Sequence, residues 1–173
     1  MKYYKSLTAD NKGPYSEFDF MPYLPKNGKP GKWLPIVKTL EPCESGWHGC
    51  QSKDLIDWIN AQVWEIETRG KVKRSDNKFC AEQIRFVRKV LNEYDIRVFA
   101  CDCADHVLHF FEDKYPNDKR PREAIEAGRK FAKGEISAAA WAAARVAAWD
   151  AEKKWQYKRL AWYLKHSTAG QDD

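Results

Sequence analysis

The chain has 173 residues, 43% of them hydrophobic, with eight Trp, eight Tyr and eight Phe, which is enough to bury a core and excludes a wholly disordered polymer. Thirty Lys and Arg stand against 25 Asp and Glu, a net charge of +5, and so mixed a balance keeps a chain dissolved without requiring nucleic acid as partner. The longest apolar run, residues 138–149, is broken by Arg145. No membrane span is therefore expected, and since MKYYKSLTADNKG has no apolar leader region, a cytoplasmic protein is.

Six of the eight prolines lie between Pro14 and Pro42, so this part should consist of loops and short strands, because proline cannot sit inside a helix without losing a backbone bond. Tyr3 to Leu7 reads as a first strand, PKNGKPGKW as an exposed turn region and WLPIVKTL as a strand interrupted by Pro35. At Ser52 the pattern changes: Ser-Lys-Asp suits a helix start, and Leu55, Ile56 and Ile59 recur at helical spacing up to about Asn60. Gln62 to Thr68 alternates Val63, Glu65 and Glu67 against Trp64 and Ile66, the period of a strand, and RGKVKR reads as the turn that closes it. Phe79 to Val90 fits either period, and Ile84, Val87 and Leu91 favour a helix.

Beyond Asp95 the chain reads as helical throughout. One helix is expected from about Ile96 to Lys114, a turn at YPNDKRP, a second helix from Pro121 to about Lys133, and a third from Ser137 to about His166. Pro121 suits a first turn, Glu123 lies near its positive end, Gly134 is a stop signal and Ser137 a cap. Trp141, Ala148, Trp155 and Trp162 recur every seven residues along one seam. The fold class that follows is α+β, with a small N-terminal mixed sheet and short helix over residues 1–94, packed against a C-terminal three-helix unit over residues 95–173.

Five cysteines without a secretory signal point to reduced thiols or a metal site, not to a disulfide framework. PCESGWHGC offers Cys43, His48 and Cys50 as zinc ligands, one short of the usual four, while the plainer reading makes the cysteines small buried hydrophobes around a glycine turn. In CDCADHVLH, Cys103, His106 and His109 share a helix side and Cys101 lies about 200° from Cys103, by the 100° per residue of a helix. Cys103 with His106 could form a thiolate-imidazole pair or simply occupy a helical core. Glu82, in CAEQI, is the carboxylate whose less polar context suits a base. Arg69, Lys71, Lys73 and Arg74 form a basic cluster that could meet phosphates, although the tryptophans that might stack on bases lie on a packing seam. GxGxxG, P-loop, HExxH and GxSxG motifs are absent, which removes the common nucleotide, zinc-protease and hydrolase readings.

Two resemblances follow from these residues. GWHGCQSKDLIDWI with VWEIETRG and FCAEQIRFVRKV resembles an uncharacterised module frequent in phage and prophage proteins, over roughly residues 3 to 94. VFACDCADHVLHFFEDKYPNDKRPREAIEAGRKFAKGE with AAAWAAARVAAWDAE is similar to helical domains of proposed immunity proteins, over about residues 95 to 166, chiefly through Cys101, Asp102, Cys103, Ala104, His106 and RPREAIEA. Together they imply a small phage, prophage or toxin-immunity protein of the host cytoplasm that occludes a bacterial host protein or complex, as anti-CRISPR inhibitors of defence systems also do. A more distant likeness to ADP-ribosyltransferases would place Tyr4, Trp47 and Glu82 in loosely equivalent positions, with Glu82 as the catalytic glutamate, and imply NAD. No cofactor is otherwise expected, and zinc enters only through the Cys/His sets.

Overall fold

A computed structural model describes residues 2–144. The chain divides into two compact units, Met1–Ile96 and Arg97–Asp173. The first holds four strands, β1 (Tyr3–Leu7), β2 (Trp47–Gln51), β3 (Gln62–Arg74) and β4 (Phe79–Leu91), with short 3-10 turns at Met21–Tyr23 and Ser52–Asp57. Every pairing is antiparallel and the ladder closes on itself in the order β1-β2-β4-β3, a small barrel. The helices α1 (Glu93–Glu112) and α2 (Arg120–Ala132) follow, and a third begins at residue 138. The architecture is α+β.

Phe79 to Val90 is a strand, not the helix its spacing favours. Phe79, Cys80 and Ala81 are all buried, because β4 is flanked there by both β2 and β3, so the polar alternation that marks a strand is missing. It returns at Ile84 and Phe86, which are fully buried on one face.

RGKVKR is not a turn either; β3 runs through it to Arg74, and the chain reverses over residues 75–78, where Ser75 N–H donates to Lys78 O at 2.9 Å. At Gly70 a bulge takes the place of the expected reversal. Register shifts between Arg69 and Val72, Gly70 takes φ +79°, and Glu82 accepts a hydrogen bond from Lys71 N–H at 3.0 Å.

WLPIVKTL does not enter the ladder as a strand; Pro35 within it, and Pro30 just before it, have no N–H to give. It forms instead a strap along β4, in which Gly31, Leu34 and Val37 N–H donate to Phe86, Ile84 and Glu82 carbonyls at 2.8, 2.9 and 3.0 Å. Leu34 plugs the core, and Trp33 lies under the guanidinium groups of Arg69 and Arg85, 4.2 and 4.8 Å from its ring centre.

The core joins Leu7, Phe20, Leu34, Trp64, Ile66, Phe79, Ala81, Ile84 and Phe86. Phe86 meets Phe20 and Trp64 edge to face, with ring centres 5.5 and 5.8 Å apart.

Helix α1 starts at Glu93, ahead of the expected Ile96. Asn92 and Asp95 cap it reciprocally, Asp95 N–H to Asn92 Oδ1 at 3.0 Å and Asn92 N–H to Asp95 Oδ2 at 2.9 Å. Pro121 occupies the first turn of α2, and Gly134 at φ +76° ends it as expected, with Gly134 and Glu135 N–H returning to Phe131 and Lys130 carbonyls. Ser137 caps the third helix by accepting from Ala140 N–H at 3.2 Å. Trp141 stacks on Phe131, ring centres 4.8 Å apart and 13° from parallel; Ala148, Trp155 and Trp162, the rest of the expected seam, lie outside the described residues.

Helices α1 and α2 meet at Gly128, where an added Cβ would stand 2.8 Å from Cys101 Sγ. Arg122 grips Glu112 through two hydrogen bonds at 2.8 and 2.6 Å, and Arg129 bridges Asp102 and Asp105.

Gly31 is the tightest point of the strap, because a Cβ there would lie 1.8 Å from Tyr23 O. Gly31→Ala is expected to destabilise the first unit by about 2–3 kcal/mol through overpacking against backbone, read as a lowered denaturant midpoint with unchanged slope.

Candidate functional site

The residues PCESGWHGC open onto a cavity of about 670 Å³ whose lining includes Tyr4, Lys5, Ser6, Tyr15, Phe18, Phe20, Cys43, Trp47, His48, Cys50, Trp58 and Lys78. Strand alternation places its central cation. Tyr3, Lys5 and Leu7 share the inward face of β1: Tyr3 packs on Phe79, Leu7 is fully buried, and Lys5 sits between them with Nζ 5.0 Å from the centre of the Phe20 ring.

Lys5 Nζ donates to His48 O at 3.0 Å. Burial pulls its pKa down to about 8, with the neighbouring Cys50 acting weakly the other way. Cys50 is pushed up to about 11, first by burial and then by Asp54. At neutral pH the site therefore pairs a protonated amine with a protonated thiol.

His48 is held neutral. Its Nε2 accepts from Cys43 N–H at 3.0 Å, and its pKa is lowered by burial and then by the positive charges of Lys5 and Lys78. The acceptor geometry explains a strained turn, for Cys43 adopts φ 73°, a left-handed conformation that non-glycine residues rarely take. The Cys43 thiol in turn accepts from Lys78 Nζ at 2.8 Å, and Lys78 lies over Trp58, 4.8 Å from its ring centre.

So the structure brings Cys43, His48 and Cys50 to one cavity, together with two lysines that no sequence pattern singles out. His48 spends its Nε2 on the backbone. Among the described residues no group of three or more His, Cys, Asp or Glu side chains is placed to hold a metal ion. Cys103 and His106 are exposed on α1, in the other unit, and His109 Nδ1 lies 3.1 Å from His106 O.

Glu82 lies apart from the cavity, beside the Gly70 bulge, whereas Tyr4 and Trp47 line the cavity wall. The three positions of the ADP-ribosyltransferase likeness thus fall in two places. The basic residues are similarly dispersed: Arg69 stacks on Trp33, Lys73 pairs with Glu41 at 2.7 Å, and Arg74 donates to Tyr3 Oη at 2.8 Å. A carboxylate thus offsets the charge of Lys73, while the guanidinium groups of Arg69 and Arg74 lie beside the rings of Trp33 and Tyr3.

No signal in the sequence points to Lys5. Its alternation with Tyr3 and Leu7 is visible there, but only pairing on both sides of β1 turns that face inward. Among the described residues no helix is long and apolar enough to cross a membrane.

The fold is that of a two-unit α+β protein, a closed antiparallel barrel followed by a helical unit. Residues 89–156 match the family model described as "Imm-5 like putative immunity protein", a span that takes in α1, α2 and the start of the third helix. No curated protein and no solved structure matches the chain.

The shifts at Lys5 and His48 fix the sign of two pH effects. The unfolded chain binds more protons at Lys5 between pH 8 and 10.5, so this group adds stability as pH rises from 8 and removes it on the way down; above pH 9 Cys50, which keeps its proton longer when folded, opposes it. Lys5→Met is expected to flatten the rise between pH 8 and 9 in denaturation midpoints, and an unchanged slope would contradict the placement of the amine. His48, in NMR titration, should protonate below its ordinary 6.5 and move upward in Lys78→Gln.

Proposed function

We propose that the chain is an immunity protein that neutralises a bacterial toxin by binding it in the cytoplasm, with the helical unit as the recognising part. The family match over residues 89–156 carries this reading, and it favours a toxin over a defence complex as the bound partner. The surface of α1 supports it. Phe99, Cys103, Val107 and Phe110 follow one another at spacings of four, four and three, which sets them along one side of the helix. Phe99, Val107 and Phe110 are 40%, 51% and 69% exposed, and aromatic residues presented in this way are typical anchors of protein interfaces.

Asp102 and Asp105, held by Arg129, and Glu112, held by Arg122, lie round the helix from the stripe, so α2 engages α1 on a different side from this apolar face. The chemistry asked of it is occlusion, which needs no nucleophile, metal or cofactor.

Co-expression with a panel of bacterial toxins should, for the cognate one, relieve toxicity and yield a complex that survives gel filtration. Phe110→Asp is expected to weaken that complex by about 2 kcal/mol or more, roughly thirtyfold, with the circular dichroism of the helices unchanged. Absence of both complex and relief would reject the reading.

A further inference from the structure

We propose that the cavity of the first unit is a binding site for a small aromatic acid: a planar apolar molecule carrying one carboxylate or similar anion. This goes beyond the toxin-binding reading, and it stands on the other unit. Four observations converge on it.

The volume, about 670 Å³, lies within the range of roughly 300–1,000 Å³ that accommodates small ligands. The walls are aromatic: Phe18 and Phe20 meet Trp47 edge to face at 4.9 and 5.9 Å between ring centres, and Tyr15 meets Trp58 at 6.2 Å. Such walls favour a flat apolar guest through stacking and edge contacts.

The charge that remains for a guest is positive. Lys5 and Lys78 both line the cavity, and among the described residues neither forms a salt bridge with a carboxylate. Their bonds go to the His48 carbonyl and the Cys43 thiol. Glu44 also lines the cavity, and His48, kept neutral, contributes no charge of its own. Each ammonium group lies over one aromatic ring, Lys5 over Phe20 and Lys78 over Trp58, and one that lacks a counter-ion is stabilised by an anion brought to it.

The fourth observation is a hydroxyl without a partner. Ser6 lines the cavity, is only 6% exposed, and its Oγ makes no hydrogen bond. A buried hydroxyl left unpaired costs about 1–3 kcal/mol. A polar group of a guest that reaches the Ser6 hydroxyl from the cavity would accept from it and remove that cost, while Lys5, on the other face of β1, meets the anion. Two cations and one donor suit a single anionic group and are too few for a polyphosphate.

The test uses the whole chain and three acids of increasing ring size, benzoate, indole-3-acetate and 2-naphthoate, with 2-naphthalenemethanol as the uncharged counterpart. Calorimetry should show one saturable site that prefers 2-naphthoate over 2-naphthalenemethanol by at least tenfold, accompanied by a change in tryptophan emission. Lys5→Met should reduce 2-naphthoate affinity at least tenfold and leave 2-naphthalenemethanol unaffected. Should Lys5→Met not fold, Lys78→Gln and Ser6→Ala must each lower the affinity several-fold. No saturable site for any of the acids, equal binding of acid and alcohol, or affinities indifferent to these substitutions would overturn the proposal. Toxin neutralisation is a separate readout and stands whether or not the acids bind.

Discussion

Strand β1 carries the first unit. Its five residues pair with β2 through Tyr3 and Tyr4 and with β3 along their whole length, and only this double engagement closes the ladder. In a closed ladder every second residue of a strand faces the interior. Tyr3 and Leu7 satisfy the inward demand with apolar bulk, and Lys5 does not. The lowered pKa of the amine, its contact with the Phe20 ring and its bond to the His48 carbonyl are consequences of closing a barrel through a strand of this sequence.

Much of the helical unit is legible in the sequence because its signals are local. Pro121, Gly134 and Ser137 act through backbone groups within four residues of themselves, and each works as its residue type predicts. The Asn92–Asp95 cap is equally local but harder to see, because Asp, not Glu, supplies the returning side chain. The barrel is less legible for the opposite reason. Whether FCAEQIRFVRKV becomes helix or strand depends on β2 and β3 lying on either side of it, and β3 outlasts its apparent turn signal because a bulge absorbs Gly70. The strap shows the limit from another side: the segment through WLPIVKTL lies beside β4, yet only Gly31, Leu34 and Val37 give it their N–H groups, and no sequence period announces that spacing.

For the site, residue types alone pick out the cluster Cys43, His48 and Cys50, but counting ligands misses its chemistry. The imidazole is oriented by a main-chain N–H and the exposed thiol by a lysine. What gives the cavity its character is Lys5 with Ser6, far from that cluster in sequence and invisible to any motif. The two units thus offer different chemistries, a half-open aromatic cavity in one and an open apolar helix face in the other, and they can be perturbed separately by single substitutions.

The outer half of β3 has a further consequence. Beyond Ile66 no strand among the described residues pairs with its outer side, although β4 continues along its inner side to Arg74. A bare margin of this kind is a template on which a second chain can lay down its own strand. The run RGKVKR occupies that margin: it brings Arg69, Lys71, Lys73 and Arg74 to a bulged backbone kinked at Gly70. Basic side chains and a broken pleat disfavour pairing with an incoming copy of the same segment, which is how an open strand margin is commonly blunted.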